Sequence, residues 1–171
     1  CTATGTDAVC MGDGAVAGDA AGDNAVLAIG ARSTATGANS IAIGENTDAT
    51  ASNSIAIGGA PTDTNSADAT GIDAIAIGFN TLAGATDALA IGVSTEATGN
   101  NSIAMGIFAN ATSINAIAIG NNVDASGDNC IAIGGNITDT NSADCSAADS
   151  VAIDRPTHPR RRHRRVRVRQ R

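Results

Sequence analysis

The sequence predicts an all-β chain wound as a parallel β-solenoid, and three observations carry that prediction. First, a short apolar run recurs: VLAIG (Val26–Gly30), SIAIG (Ser40–Gly44 and Ser54–Gly58), AIAIG (Ala74–Gly78), ALAIG (Ala88–Gly92), SIAMG (Ser102–Gly106), AIAIG (Ala116–Gly120), CIAIG (Cys130–Gly134) and SVAID (Ser150–Asp154). Their last residues stand 14, 14, 20, 14, 14, 14, 14 and 20 apart. Second, Asn or Asp stands five residues before the end of every run but the first, at Asn39, Asn53, Asp73, Asp87, Asn101, Asn115, Asn129 and Asp149. Both residue types bond their own backbone in turns and tolerate left-handed conformations. Third, the 171 residues include 20 Gly, two Phe and no Trp or Tyr, yet 43% are apolar. A chain this apolar is not disordered, and one so evenly sown with Gly, Asn, Thr and Ser is not a long helix. Fourteen residues suit two short strands and two turns, stacked coil on coil.

Taken in order, residues 1–25 are a degenerate start around AVCMG (Ala8–Gly12). Residues 26–154 are the repeat proper, and the unit Asn39–Ser52 shows its logic. Ser40-Ile41-Ala42-Ile43-Gly44 alternates as a strand does, with Ile41 and Ile43 on one face and Ala42 on the other. Neither face carries a charge, so both are expected to be covered. The next stretch sets Thr47, Ala49 and Ala51 against Asp48 and Thr50, a strand with one face toward water. Ala recurs five residues after the Gly at Ala35, Ala49, Ala83, Ala97, Ala111 and Ala125. The two longer spacings contain the same insert, TDTNSAD, at Thr62–Asp68 and Thr138–Asp144, expected to bulge from the stack. Residues 155–171 form an Arg-rich tail, expected to be disordered or non-native.

For the interior, the pattern assigns the roll core to Ile41, Ile43, Ile55, Ile57, Ile75, Ile77, Ile91, Ile103, Ile117, Ile119, Ile131 and Ile133. That leaves a smooth small-residue face, Ser40, Ala42, Ser54, Ala56, Ala76, Ala90, Ala104, Ala118 and Ala132, for self-association. The opposite assignment, with the Ile face against the partner, stays open. Asn39, Asn53, Asp73, Asp87, Asn101, Asn115 and Asn129 would stack as a turn ladder along one edge.

The recurring N-S-I-A-I-G, at Asn39–Gly44, Asn53–Gly58 and (with Met105) Asn101–Gly106, resembles the head repeat of YadA-like trimeric autotransporter adhesins. Close variants stand at Asp73–Gly78, Asp87–Gly92 and Asn115–Gly120, and the likeness runs from Val26 to Ile153. The resemblance implies a left-handed β-roll, three chains side by side, and display on a bacterial surface. It also implies that the head binds extracellular matrix protein, glycan, another cell or an abiotic surface. Anchoring to the outer membrane is then expected from regions outside these residues. A trimeric fibre segment of a phage or virus is the alternative. An ice- or lattice-binding solenoid is weaker, because only Thr34 and Thr36 form the T-x-T it needs.

Catalysis finds no footing: both His, His158 and His163, lie in the tail, away from every repeat. No cofactor is expected, and no metal site. Asp63 and Asp68, Asp139 and Asp144, and Asp13, Asp19 and Asp23 read as solvated turn acids. Cys130 and Cys145 stand where other units have Ser or Ala, as small-residue substitutes or as a bridge between neighbouring coils. Cys1 and Cys10 complete the set of four. Residues 1–154 hold one Arg against 17 acidic residues, a net −16, while residues 155–171 carry +9. Without interleaved aromatics the tail implies no specific nucleic-acid partner. No run approaches the ~18 apolar residues of a membrane span, so no direct membrane insertion is expected.

Overall fold

A computed structural model describes residues 1–18, 25–135 and 142–154. The tail, with His158 and His163, lies outside the described residues, as do Asp19, Asp23, Asp139 and residues 138–141 of the second insert. The described chain is a parallel β-solenoid whose strands fall into two columns. The first column comprises β2 (Val9–Met11), β4 (Leu27–Ile29), β6 (Ile41–Ile43), β8 (Ile55–Ile57) and β10 (Ile75–Phe79). It continues through β12 (Leu89–Val93), β14 (Ile103–Ala111), β15 (Ile117–Ala125), β16 (Ile131–Ile133) and β17 (Val151–Ile153), ten coils in all. The second comprises β1 (Thr2–Ala3), β3 (Val16–Ala17), β5 (Thr34–Ala35), β7 (Asp48–Ala49), β9 (Ala67–Ala69), β11 (Thr81–Ala83) and β13 (Glu96–Ala97). The C-terminal halves of β14 and β15 extend it, and an Ala125–Cys145 bridge closes it.

Pairing is in strict register, Ala on Ala and Ile on Ile: Ala28, Ala42, Ala56, Ala76, Ala90, Ala104, Ala118, Ala132 and Ala152 form one unbroken column. Two left-handed corners close most of the described coils. One is the Asn/Asp position, with φ between 54° and 59° from Asn39 to Asp149; the other lies two residues after the Gly, at Arg32, Asn46, Asn80, Ser94, Phe108 and Asn122. The Gly that ends each I-A-I run has φ between 132° and 144°, and a Cβ on Gly78 would strike the carbonyl of Gly92 above it. No other residue fits there.

The interior overturns the sequence expectation. Ser40, Ala42, Ser54, Ala56, Ala76, Ala90, Ala104, Ala118 and Ala132, expected at a trimer interface, have no accessible surface within a single chain. They line the roll's inside, together with the Ala column of the second strand. The residues expected in the core, Ile41, Ile43, Ile55, Ile57, Ile75, Ile77, Ile91, Ile103, Ile117, Ile119, Ile131 and Ile133, lie on the outer face; Ile133 is exposed and the others are half-buried. The reason is cross-section. The largest fully buried side chains are Val26 and Val123, followed by Thr, Cys and Ser. A coil this short brings its two strands too close for Ile, and overpacking is as costly as a void. Several hydroxyls inside are satisfied locally: Ser33 and Thr47 donate to the carbonyls of Gly30 and Gly44 at 3.0 and 2.8 Å, and Ser54 to that of Ala51 at 2.6 Å, whereas the buried Ser40 and Ser102 hydroxyls find no partner within the described residues.

The first insert also differs from expectation. Ala67–Ala69 are back in the stack as β9, with Asp68 in register between Asp48 and Leu82. The protrusion therefore lies before Ala67 and contains a 3₁₀ turn at Asp63–Asn65. Its extra length stays in a turn because the alternation must resume unshifted for Ala67 and Ala69 to face inward.

Candidate functional site

The outward columns are the largest feature of the surface. One runs Val9, Leu27, Ile41, Ile55, Ile75, Leu89, Ile103, Ile117, Ile131 and Val151. The other, two residues on, runs Met11, Ile29, Ile43, Ile57, Ile77, Ile91, Met105, Ile119, Ile133 and Ile153. From Leu27 to Ile131 these side chains are half-buried, but at the ends of the stack they are not: Val9 and Met11 are 49% and 59% exposed, and Val151 and Ile153 63% and 66%. Their cover in the middle is thus largely the like residue above and below. Ten coils at ~4.8 Å make a strip roughly 45 Å long with no charge in it. A contiguous apolar strip of this kind marks an interaction surface, unlike scattered exposed side chains.

Polar ladders frame the coils. Asn39 Nδ2 donates to Asn53 Oδ1 at 3.1 Å, and Asn53 Nδ2 to Asp73 Oδ1 at 2.9 Å. A second run goes from Asn101 through Asn115 and Asn129 to Asp149, at 3.1, 2.8 and 2.9 Å. Each run ends on Asp, a residue that accepts and, when ionised, cannot pass a donor on. Asp87 stands between the two runs. At the other corner Asn46 donates to the Ala60 carbonyl at 2.7 Å and Asn80 to Ser94 Oγ at 3.0 Å. Arg32 pairs with Glu45 at 2.5 Å and donates to Asn46 Oδ1 at 2.7 Å. On the water-facing strand, Asp48 and Asp68 occupy neighbouring register positions. Asp68 accepts from Ser66, and Asp144 from Ser142. Among the described residues no three of His, Cys, Asp and Glu come together as a metal centre would need.

Both cysteine pairs are closed, Cys1 with Cys10 and Cys130 with Cys145, each with Cα atoms 6.0 Å apart. Cys130 sits on the inner small-residue column, so its bridge to Cys145 crosses the roll's interior in the last full turn. The Cys1–Cys10 bridge went unforeseen, although Cys10 pairs in register with Ala28 at the start of the inner Ala column; Cys1 stands before the first run. Sequence reasoning also passed over Phe79, Val93, Ile107 and Phe108, which lie exposed on three consecutive coils. Their signal was present: Phe79 and Phe108 are the chain's two aromatic residues.

A family model described as the YadA head domain repeat (2 copies) matches residues 20–47, 35–60, 69–95 and 97–122, more than half of the chain. A search of curated proteins finds no match.

Proposed function

Because the chain belongs to the family of the YadA head domain repeat, we propose that it is the binding head of a trimeric adhesin, assembled through its outward Ile columns. Heads of this family are surface-exposed parts of outer-membrane autotransporters, and membership implies a homotrimer. The observation that carries the proposal is the uncharged strip running the whole length of the stack. Its residues are too large for the roll's interior and too apolar for water. Three copies packed strip to strip around a common axis would bury it, leaving the second strand with Asp48, Asp68, Glu96 and Asp124 outermost.

That outer surface repeats small and acidic side chains at regular intervals. Chemistry needs an irregular cluster of unlike groups, whereas regular repetition suits repeated ligands and lets three chains bind with avidity. Matrix proteins, glycans or another cell surface are the ligands proposed, without enzymatic activity. The net −16 of residues 1–154 favours ligands bearing basic stripes and makes binding weaken as salt rises. The test combines sedimentation with binding. The chain is expected to sediment as a trimer, and Ile43→Glu is expected to disperse it. The trimer, presented to collagen, fibronectin, laminin and glycan arrays at several ionic strengths, is expected to bind at least one, most tightly at low salt. A folded monomer at micromolar concentration would refute the assembly, and a trimer that binds none of these would refute the ligand class.

A further inference from the structure

We propose that Phe79, Val93 and Ile107, with Phe108 beside them, form a band where the apolar face widens from two columns to three, and that a second copy of this chain covers it. The inference rests on the trimeric reading above. The three residues follow the Ile77, Ile91 and Met105 positions by two in β10, β12 and β14, and they stack in register, Phe79 on Val93 and Val93 on Ile107. They are 45%, 40% and 44% exposed, and Phe108 is 52% exposed. In other coils the same column holds Glu45, Gly59 or, directly next in register, Asn121. The solenoid therefore does not require apolar residues there.

Two further observations single out the band. Both aromatic residues of the chain lie in it, and buried aromatic side chains carry a disproportionate share of interface energy. Phe108 also holds φ 54° at a corner where adjacent coils place Ser94 and Asn122. A bulky side chain in that conformation is uncommon and strained. The ring is 52% exposed, so about half of its surface is open to a further contact.

The occupant follows from symmetry and continuity. In a trimer each chain meets two neighbours, so two columns divide into one per neighbour, a narrow contact. The third column continues the same strands and the same chemistry, and symmetry brings three copies of it to one height along the axis. A ligand from outside would instead approach the acidic second strand.

The experiment uses the full chain, whose native cysteines are paired, with a single added thiol at Val93→Cys or, in the same coil on the water-facing strand, Thr98→Cys. Thr98 is exposed. In the sedimented trimer, maleimide labelling of V93C is expected to be at least tenfold slower than that of T98C. The triple variant Phe79→Asn/Val93→Asn/Ile107→Asn, which copies the residue found at Asn121, is expected to keep its β circular dichroism. Its trimer should dissociate at a concentration at least tenfold higher. Equal labelling rates within a trimer, or unchanged dissociation of the triple variant, would overturn the proposal and leave the band to an outside partner. Should the parent chain sediment as a folded monomer, the trimeric reading itself fails, and the band's cover fails with it.

Discussion

The two faces of a single strand carry different tasks, and their residues show it. Along the inner column at the middle of the strand Ala never varies from Ala28 to Ala152, while along the outer face Ile gives way to Leu27, Leu89, Met105 and Val151. Inside, the closing of a short coil sets an upper limit on side-chain volume, and Ala, Ser, Thr, Val and Cys alone stay under it. Outside, what matters is apolar area in a continuous column, and several side chains supply that. Strictness in a repeat column thus reports steric confinement, whereas hydrophobicity alone does not say which face is the core. The same molecule would look well packed to a test of volume and unfinished to a test of exposed area. Both descriptions fit the trimer proposed above.

Substitutions can break or sharpen this contrast. The largest effect is expected from Ala76→Glu, which puts an unpaired charge in a solid interior. A loss of about 5 kcal/mol or more, seen as loss of the β signal by far-UV circular dichroism, is the expected outcome. Ala76→Ile asks the sharper question, since it places the outer residue on the inner face. A loss of about 1–3 kcal/mol is expected from overpacking, read as a lower thermal midpoint. Asn115→Ala tests the corner that keeps the two faces apart. It removes one ladder bond above and one below and forces Ala into a left-handed conformation, for a loss of about 1–2 kcal/mol. Ile77→Ala is expected to be the mildest for the coil itself, about 1 kcal/mol, because half-buried area is lost and no void opens. Its effect should instead appear in sedimentation, as weaker assembly. If Ile77→Ala proved as damaging to the coil as Ala76→Ile, the distinction between the faces would collapse.

Much of the architecture was legible from residue spacing. The 14-residue unit, the two strands per coil and the parallel stack follow from runs such as Ser40–Gly44 recurring in step with Asn39 and its equivalents. Which face of that strand looks inward was not legible from alternation, because alternation groups Ile41 with Ile43 and opposes them to Ala42 without giving a direction. A signal existed in the invariance of the Ala column, and a stronger one in the second strand. There Ala49 and Ala83 oppose the polar or water-facing Asp48 and Leu82 positions, so the inward side had already been marked as small. The limits of the first insert were misplaced for a related reason: TDTNSAD is a unit of sequence duplication, whereas Ala67–Ala69 belong to the stack. The apolar band at Phe79 and Phe108 escaped notice because it breaks the repeat, and attention to periodicity passes over exceptions.

The strict register of the coils has one more consequence. On the inner column and at the Gly corner, neighbouring coils meet through the same residues, Ala on Ala and Gly on Gly. A gain or loss of 14 residues within the array therefore changes the protein's reach by one sheet spacing, ~4.8 Å, and leaves those inner contacts unchanged in kind. The array is a ruler graduated in coils. Gain or loss of whole repeat units would lengthen or shorten it in whole steps, so its length can evolve by counting.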